Sequence, residues 1–413
     1  MTSRLLSVLT ASISLALFCS ATQAQESAEV PAISARSQTQ PTASSEANSA
    51  VIVRDAAKPA RSHVVATSAL GGLEVYDLSG KRIGTTPSGE VAAVDVAYGV
   101  PFGDATATVL ASIDTTTNSL RLFTMDGAKL AEVGARPIPL GFAAEGVCLF
   151  RNPLASALHA FIVGDGGEVD QQILFATTDG KLDARPVRRI SVPSPLKQCV
   201  ADAQGQVYAS EEAVGIWRFN ADPEADVSAT LVDAPRLGNI KEEVGGVALY
   251  DGGEGSRWLL ASDTSAGRIN VYDRANEDTI LGSFTVSAPG NGETIGEPGP
   301  LFATNIALDK RFPHGLLLVT DEDGSNYKSV AMEDIAKALK LDIGGTAAAD
   351  QPSSSKVTAV TALVETTPAG SYGDAADDPA IWAHPTNPAL SLVIATDKKA
   401  GIYVYDMQGK VVQ

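Results

Sequence analysis

Short apolar runs separated by polar turns dominate the chain from about residue 51 to residue 340. Within these runs apolar and polar side chains alternate with a period of two, as a sheet with one more deeply buried face requires. Asp-Gly and Ser-Gly pairs stand where hairpins need a residue with positive φ. The alternation is clearest at 63–68, 73–81, 109–113, 120–127, 206–210, 215–219, 258–262 and 268–273. The pattern predicts an all-β protein.

The strands recur in a regular order. A pair of the type apolar-Ala-Ser, short loop, apolar-x-Val-Tyr appears near 65–77, 110–123, 208–219, 260–272 and 394–405. Repeats at intervals of tens of residues are typical of a β-propeller, in which each sheet is one repeat. A β-sandwich explains the strands but not their recurrence, so it is the second choice.

One segment, residues 329–340, has helical spacing of its apolar residues, and a linker rich in Gly, Ala and Ser follows it. We therefore place a domain boundary there. The predicted order is a propeller over 51–340, a linker over 341–356 and a further domain that begins in 357–413.

The first fifty residues have two different compositions. Residues 1–24 combine Arg4, an apolar run over 5–18 and small residues near Ala24, which is the pattern of a signal peptide. The apolar run is too short to span a bilayer, so we expect a secreted or periplasmic protein. Residues 25–50 are rich in Ser, Thr, Gln, Ala and Glu, and they predict a disordered leader.

Charge and cysteine content narrow the possible partners. The formal net charge is -18 at pH 7, which argues against nucleic acid and against anionic membrane surfaces as partners. Two cysteines follow the predicted leader, Cys148 and Cys199. An exported protein can form a disulfide, and two buried thiols are an equally good interpretation. The cysteines have no nearby His, so they give no zinc pattern.

A run near the end of the chain repeats a run near its beginning. Residues 374–410 read DAADDPAIWAHPTNPALSLVIATDKKAGIYVYDMQGK, and residues 55–81 read DAAKPARSHVVATSALGGLEVYDLSGK. Matching the two DAA starts, at Asp374 and Asp55, places Lys58 where the later run has an acid pair. The later lysine pair becomes residues 69–70, Ala-Leu, and the Trp is absent. We interpret the runs as a duplication whose earlier copy has lost its charged residues.

The later run resembles the opening strand pair of the β-propeller phytases, calcium-dependent phosphatases of myo-inositol hexakisphosphate (phytate). Residues 94–101, 199–217, 243–250 and 312–336 resemble further segments of that family, in the same order. The resemblance implies a six-bladed propeller with calcium ions at one end of its central channel. It also implies that carboxylates hold the ions and that a metal-activated water attacks a phosphate.

The resemblance carries over to this chain residue by residue. It implies carboxylate metal ligands in both copies, namely Asp95, Glu211, Glu212 and Glu243 in 51–340, and Asp377 and Asp378 in the later run. It assigns no catalytic residue. It implies phosphate binding by Lys398 and Lys399. Solvated charges at loop ends are an equally good interpretation of Glu211, Glu212 and Glu243.

Several family positions are changed in 51–340. Where the family has two Asn residues this chain has Ala92 and Ala93, and where the family has an Arg this chain has Asp114. A Glu-Gly pair becomes residues 197–198, Lys-Gln, and a further Glu becomes Gly245. Glu297 alone stays acidic in the loop 294–300. We therefore expect a degenerate propeller.

The expected function is calcium-dependent hydrolysis of phytate or other inositol phosphates, as a 3-phytase-type phosphomonoesterase. A non-catalytic propeller that binds phosphorylated ligands, or that assists a catalytic neighbour, is the alternative. A calcium-dependent lactonase would need a central Glu/Asn/Asp site, which the sequence does not reveal. Residues 357–413 are too few for a propeller, so we expect them to be the truncated start of a second one or to pack on the first.

Overall fold

The computed structural model of the chain describes residues 30–345 and 360–413, apart from residues 45, 70, 103–104, 153–156, 254–255, 291 and 372. The predicted signal peptide, 1–24, and most of the predicted linker lie outside the described residues. No helix among the described residues is long and apolar enough to cross a membrane.

Six antiparallel sheets make up the described chain from residue 47 to residue 331, and each is built from consecutive strands. The first three sheets, blades 1 to 3, contain the following strands: β3 (Ala47–Val53), β4 (His63–Ser68), β5 (Gly72–Asp77) and β6 (Arg82–Thr86); β7 (Val91–Phe102), β8 (Ala105–Asp114), β9 (Ser119–Asp126), β10 (Lys129–Glu132) and the short β11 (Ile138–Pro139); β12 (Ala144–Arg151), β13 (Leu158–Gly164), β14 (Glu168–Ala176) and β15 (Leu182–Ser191). These strands include the alternating segments predicted at 63–68 and 109–113, and all of 120–127 except its last residue.

Blades 4 to 6 follow the same plan. Their strands are β16 (Leu196–Ala201), β17 (Gln206–Glu211), β18 (Gly215–Asn220) and β19 (Thr230–Asp233); β20 (Val244–Asp251), β21 (Arg257–Asp263), β22 (Arg268–Asp273) and β23 (Thr279–Ser287); β24 (Pro298–Thr304), β25 (Leu316–Asp321) and β26 (Asn326–Ala331). A helix, α1 (Met332–Leu339), follows directly, within the predicted helical segment.

The six blades form a closed ring. The first strand of each blade contacts the first strand of the next, and β24 of blade 6 contacts β3 of blade 1. A separate hydrophobic cluster fills each of the six contacts between neighbouring blades in the described chain. The predicted six-bladed β-propeller is confirmed, because six blades close into a ring and each blade buries apolar residues against both of its neighbours.

Residues 31–50, apart from residue 45, include the strands β1 (Ala32–Ser34) and β2 (Ser37–Gln38) and the start of β3, so the prediction of a disordered leader is wrong for this part of 25–50. Strand β1 (Ala32–Ser34) pairs in parallel with β23, and β2 (Ser37–Gln38) pairs with β26. Strand β1 thus adds a fifth strand to blade 5, and β2 supplies the fourth strand of blade 6. Ile33 is only 5% exposed, within the cluster between blades 5 and 6. The polar composition predicts disorder because it reflects only local sequence, whereas β1 and β2 are held by strands from distant parts of the chain.

Side chains from neighbouring blades also bridge the ring. Gln198 of blade 4 donates to the backbone oxygen of Leu301 at 2.7 Å and accepts from the backbone nitrogens of Val247 and Leu301. Cys148 of β12 and Cys199 of β16 form a disulfide, with 5.5 Å between their Cα atoms. Of the two interpretations left open above, the disulfide is the one present.

The described C-terminal residues, 360–413, contain a three-stranded sheet of β27 (Ala376–Trp382), β28 (Leu392–Asp397) and β29 (Gly401–Tyr405). The 3-10 turns at Pro59–Arg61 and Pro388–Leu390 lie between the first two strands of blade 1 and of this sheet. Both first strands carry a bulge directly after their opening alanine. The sheet is therefore a second copy of the first three strands of blade 1.

The pairing corrects the register of the duplication. A constant spacing of 329 residues separates Ala47 from Ala376, and Pro59 from Pro388. The acid pair at 377–378 therefore corresponds to residues 48–49, Asn-Ser, and not to Lys58. The match of the two DAA runs is wrong, because Asp55 follows the first strand of its copy whereas Asp374 precedes it. The lysine pair still corresponds to residues 69–70.

Candidate functional site

The first strands of all six blades begin at the same end of the ring, around a cavity of about 770 Å³. We call this cavity the mouth. Its described lining comes from strand starts and from the turns between the second and third strands of the blades: Glu46, Ala47, Asn48, Ala69, Glu90, Val91, Ala92, Thr115, Glu145, Lys197, Glu212, Glu243, Val244, Gly245, Thr264, Glu297, Gly299, Pro300 and Glu322. Glu145 is the blade 3 residue in this lining, and each of the other five blades contributes at least two of the residues.

Two positions at each strand start supply the lining. In blades 1, 2, 5 and 6 a glutamate directly precedes the first strand: Glu46, Glu90, Glu243 and Glu297. The second position is a bulge, where one strand has extra residues that its partner does not match. A bulge redirects its side chain, and in all six blades a bulge residue faces the mouth. These residues are Asn48, Ala92, Glu145, Lys197, Gly245 and Gly299.

The mouth is strongly acidic. Its described lining holds seven glutamates and one lysine, Lys197. Carboxylates that converge on one cavity produce a negative potential that attracts cations and repels anions. Loss of hydration and the repulsion from Glu297 together raise the pKa of Glu322, whereas Lys197 acts to lower it. The Lys197 Nζ lies 3.4 Å from an Oε of Glu212.

Glu212 and Glu243, two of the sequence-predicted ligands, do lie in the mouth. Glu212 is in the turn after β17, and Glu243 directly precedes β20. The two residues line the same cavity from neighbouring blades, 4 and 5. The backbone nitrogen of Val244, the residue after Glu243, donates to the Glu212 backbone oxygen at 2.9 Å. The structure brings these two predicted residues together.

Asp95 lies elsewhere, deeper in the central channel. It lines a cavity of about 60 Å³ together with Gln198 and Cys199. Its carboxylate accepts a 2.7 Å hydrogen bond from the backbone nitrogen of Leu149 in blade 3. Removal from bulk water raises the pKa of Asp95 to about 7. Asp95 therefore links blades 2 and 3 and is not part of the mouth.

Glu211 is not available as a ligand in this arrangement, although it neighbours Glu212. Its buried carboxylate accepts hydrogen bonds from the backbone nitrogen and hydroxyl of Ser194, at 2.7 and 2.6 Å, and from the indole of Trp217. β17 ends at Glu211, whose side chain stabilises blade 4 internally, whereas Glu212 in the following turn lines the mouth.

The four predicted residues of the C-terminal sheet lie at one end of it, and all are exposed. Lys398 contacts Asp374 at 3.0 Å and Asp377 at 3.5 Å, and hydrogen bonding to Asp374 raises the pKa of Lys398. Asp377 corresponds to the bulge residue Asn48, and Lys398 corresponds to Ala69. The structure thus brings Asp377 and Lys398 together at the end that, in blade 1, faces the mouth.

Sequence comparison with a family pattern missed most of the mouth. Glu46, Glu90, Glu145 and Glu322 were not predicted, and Glu297 was noted only as an acidic survivor. A detectable signal exists: a charged residue stands next to, or one residue inside, the start of the first strand in every blade. These residues are tens of positions apart, so only the ring closure reveals that they converge.

Calcium fits this mouth in donor chemistry but not in arrangement. Ca²⁺ takes six to eight oxygen ligands, which a ring of carboxylates can supply. However, the described residues contain no group of three or more His, Cys, Asp or Glu side chains close enough to hold one metal ion. The residues present therefore do not fit the predicted calcium cluster as they stand.

Comparison with known proteins gives a family, a curated relative and a solved structure to which the chain is similar. The model of a family described as Phytase matches residues 2–344 and again 328–413. A curated 3-phytase from Bacillus subtilis (strain 168) is 24% identical over 325 residues, which cover 74% of this chain and 85% of the relative. The crystal structure of a putative phosphatase from Bacteroides thetaiotaomicron covers 69% of this chain and 71% of that one, with 9% identity and a TM-score of 0.45.

Proposed function

Because the chain belongs to the phytase family, we propose that it is a calcium-dependent phosphomonoesterase of the 3-phytase type that acts on phytate or other inositol phosphates at the mouth. Family membership supports phosphoric monoester hydrolysis at the level of reaction class. The observation that carries the choice of site is the convergence of carboxylates from all parts of the ring on one cavity.

The charge of the mouth supports the dependence on calcium. Phytate carries many negative charges, and seven glutamates against one lysine repel such an anion. Divalent cations reverse the local field, so substrate and cation are expected to bind together. The chain's own contribution is to hold these carboxylates in fixed positions on strand starts and turns.

A specific observation favours a second candidate, a non-catalytic propeller that binds phosphorylated ligands or assists a catalytic neighbour. No three carboxylates of the described residues lie close enough together to hold one metal ion, and a lysine occupies one bulge of the ring. In this candidate the C-terminal sheet, with Asp377 and Lys398, belongs to the neighbour. The repeated spacing of 329 residues and the second family match support a second propeller that begins in 357–413.

The export of the protein is also a proposal. The composition of residues 1–24 supports a signal peptide, and the disulfide between Cys148 and Cys199 suits a secreted or periplasmic protein.

The test is phosphate release from phytate by the full chain, with Ca²⁺ and with a chelator. Glu243→Gln and Asp377→Asn separate the mouth from the C-terminal sheet, and Glu224→Gln removes an exposed carboxylate at the other end of blade 4 as a control. Calcium-dependent release that falls only in Glu243→Gln supports the first proposal. Phytate binding without release in the presence of Ca²⁺ rejects the hydrolase and supports the non-catalytic propeller.

A further inference from the structure

Lys197 is the exception in the ring of mouth residues. It occupies the bulge of β16, the position that Glu145 occupies in blade 3 and Asn48 in blade 1. In the described lining it provides the one positive charge, against seven negative ones. A lysine placed in such a ring brings a compact ammonium group that is attached to the protein.

The Lys197 ammonium interacts with carboxylates of the mouth. Its Nζ lies 3.4 Å from an Oε of Glu212, and both side chains are more than one-third exposed to the mouth, at 35% and 41%. Its charge also acts on Glu322 across the mouth, opposite to the repulsion that Glu297 exerts. Glu212 belongs to blade 4 and Glu322 to blade 6, so one ammonium acts on carboxylates from two blades.

We propose that the Lys197 ammonium is a tethered counter-ion of the mouth, which takes the place of a divalent cation beside Glu212, in a cavity that Glu322 also lines. A multivalent cation that approached these carboxylates would meet the ammonium at close range and would be repelled by it. Lys197 thereby lowers the affinity of the mouth for divalent cations.

A second change in the ring has a different physical character. Gly245 occupies the corresponding bulge in blade 5, and a Cβ added there would meet the Thr264 hydroxyl at 2.5 Å and the Pro298 backbone oxygen at 3.0 Å. A carboxylate at 245 would require backbone movement, whereas a change at 197 alters only a partly exposed side chain. Lys197 is therefore the position at which cation binding can be changed without rebuilding the mouth.

The inference goes beyond the proposed hydrolase and needs no turnover, because its readout is the binding of Ca²⁺ alone. The experiment is calorimetric titration of Ca²⁺ into the full chain at low ionic strength, where charges are least screened. We expect Lys197→Met to bind Ca²⁺ about tenfold more tightly than the unmodified chain, and Lys197→Glu about a hundredfold. Lys197→Arg keeps the charge and should bind as the unmodified chain does.

Two controls separate a local effect from the change in net charge. Lys181→Met removes a lysine from the turn between β14 and β15, at the far end of blade 3, and should leave the affinity unchanged. In a Glu212→Gln background, Lys197→Met should gain clearly less than it does in the presence of Glu212, because the shielded carboxylate is gone.

Equal Ca²⁺ affinity in the unmodified chain, Lys197→Met and Lys197→Glu would overturn the proposal, and so would an equal gain in Lys181→Met. If Lys197→Glu does not fold, as judged by thermal unfolding, Lys197→Met and Lys197→Arg still decide it. A chain that hydrolyses nothing but shows the expected series rejects the hydrolase and keeps the counter-ion.

Discussion

Asn48 and Asp377 occupy equivalent positions in two copies of one strand. Each follows the alanine that opens its strand, and each lies in the bulge opposite the second strand. The next residues, Ser49 and Asp378, are equivalent as well. Ser49 is 7% exposed, and its hydroxyl exchanges hydrogen bonds with the backbone of Val94 in blade 2. The two positions of the acid pair therefore face different environments in the propeller.

This difference predicts opposite outcomes for two single substitutions. Asn48→Asp places a charge in the open mouth and should change the free energy of unfolding by no more than about 0.5 kcal/mol. Ser49→Asp places a charge in a buried blade contact and should cost about 3 kcal/mol or more. Chemical denaturation of both variants is the measurement. Similar stabilities would show that the register of the duplication is not the one assigned.

The disulfide between Cys148 and Cys199 joins the first strands of blades 3 and 4 and closes a loop of 51 residues. A crosslink of this length restricts the unfolded chain, with a contribution of about 4 kcal/mol in the chain-entropy model. We expect Cys148→Ser/Cys199→Ser to unfold at a temperature several degrees lower. A reductant should lower the unfolding temperature of the unmodified chain to that of the variant and leave the variant unaffected.

Asp95 predicts a decrease of stability with rising pH. Its folded pKa, about 7, lies above the ordinary value of 3.8, so over this interval the native state binds a proton that the unfolded state has lost. The free energy of unfolding should therefore fall between about pH 4 and pH 7 and then level off. Asp95→Asn should flatten this part of the profile. Denaturant titrations at a series of pH values test it, and an unchanged slope in the variant would argue against Asp95.

Arg36 fastens the N-terminal strands to α1. Its guanidinium donates to both carboxylate oxygens of Asp334 at 2.8 Å, to Glu333 at 2.5 Å and to the backbone oxygen of Arg311. We expect Arg36→Met to lower the free energy of unfolding by about 1–2 kcal/mol, because several partly buried bonds are lost together.

Arg136 is the matched control for Arg36. It pairs with Asp183 at 3.0 Å but is 50% exposed, so Arg136→Met should cost less than about 0.5 kcal/mol. Thermal unfolding of both variants makes the comparison. An equal loss in the two variants would mean that the Arg36 network has no special part in closing the ring.

The strands were predictable from the sequence because alternation is a local property. The segment 268–273, for example, is the whole of β22. The N-terminal strands were not predictable, because Ser37 pairs with Ser329 and owes its order to residues far along the chain. In the site, Glu212 and Glu243 follow from the family pattern. Glu46 and Glu90 do not, because their convergence depends on how the ring closes.

Strands β1 and β2 have a consequence for how the chain reaches its native state. Residues 32–38 complete blades 5 and 6, whose other strands come more than 200 residues later, so these two blades are incomplete until the N-terminal strands have docked. Contacts between such distant residues require the closure of long loops, which costs conformational entropy before the contacts form and slows folding. Until β1 and β2 dock, the edges of β23 and β26 have no partner, and two strand edges are exposed that can pair with other chains.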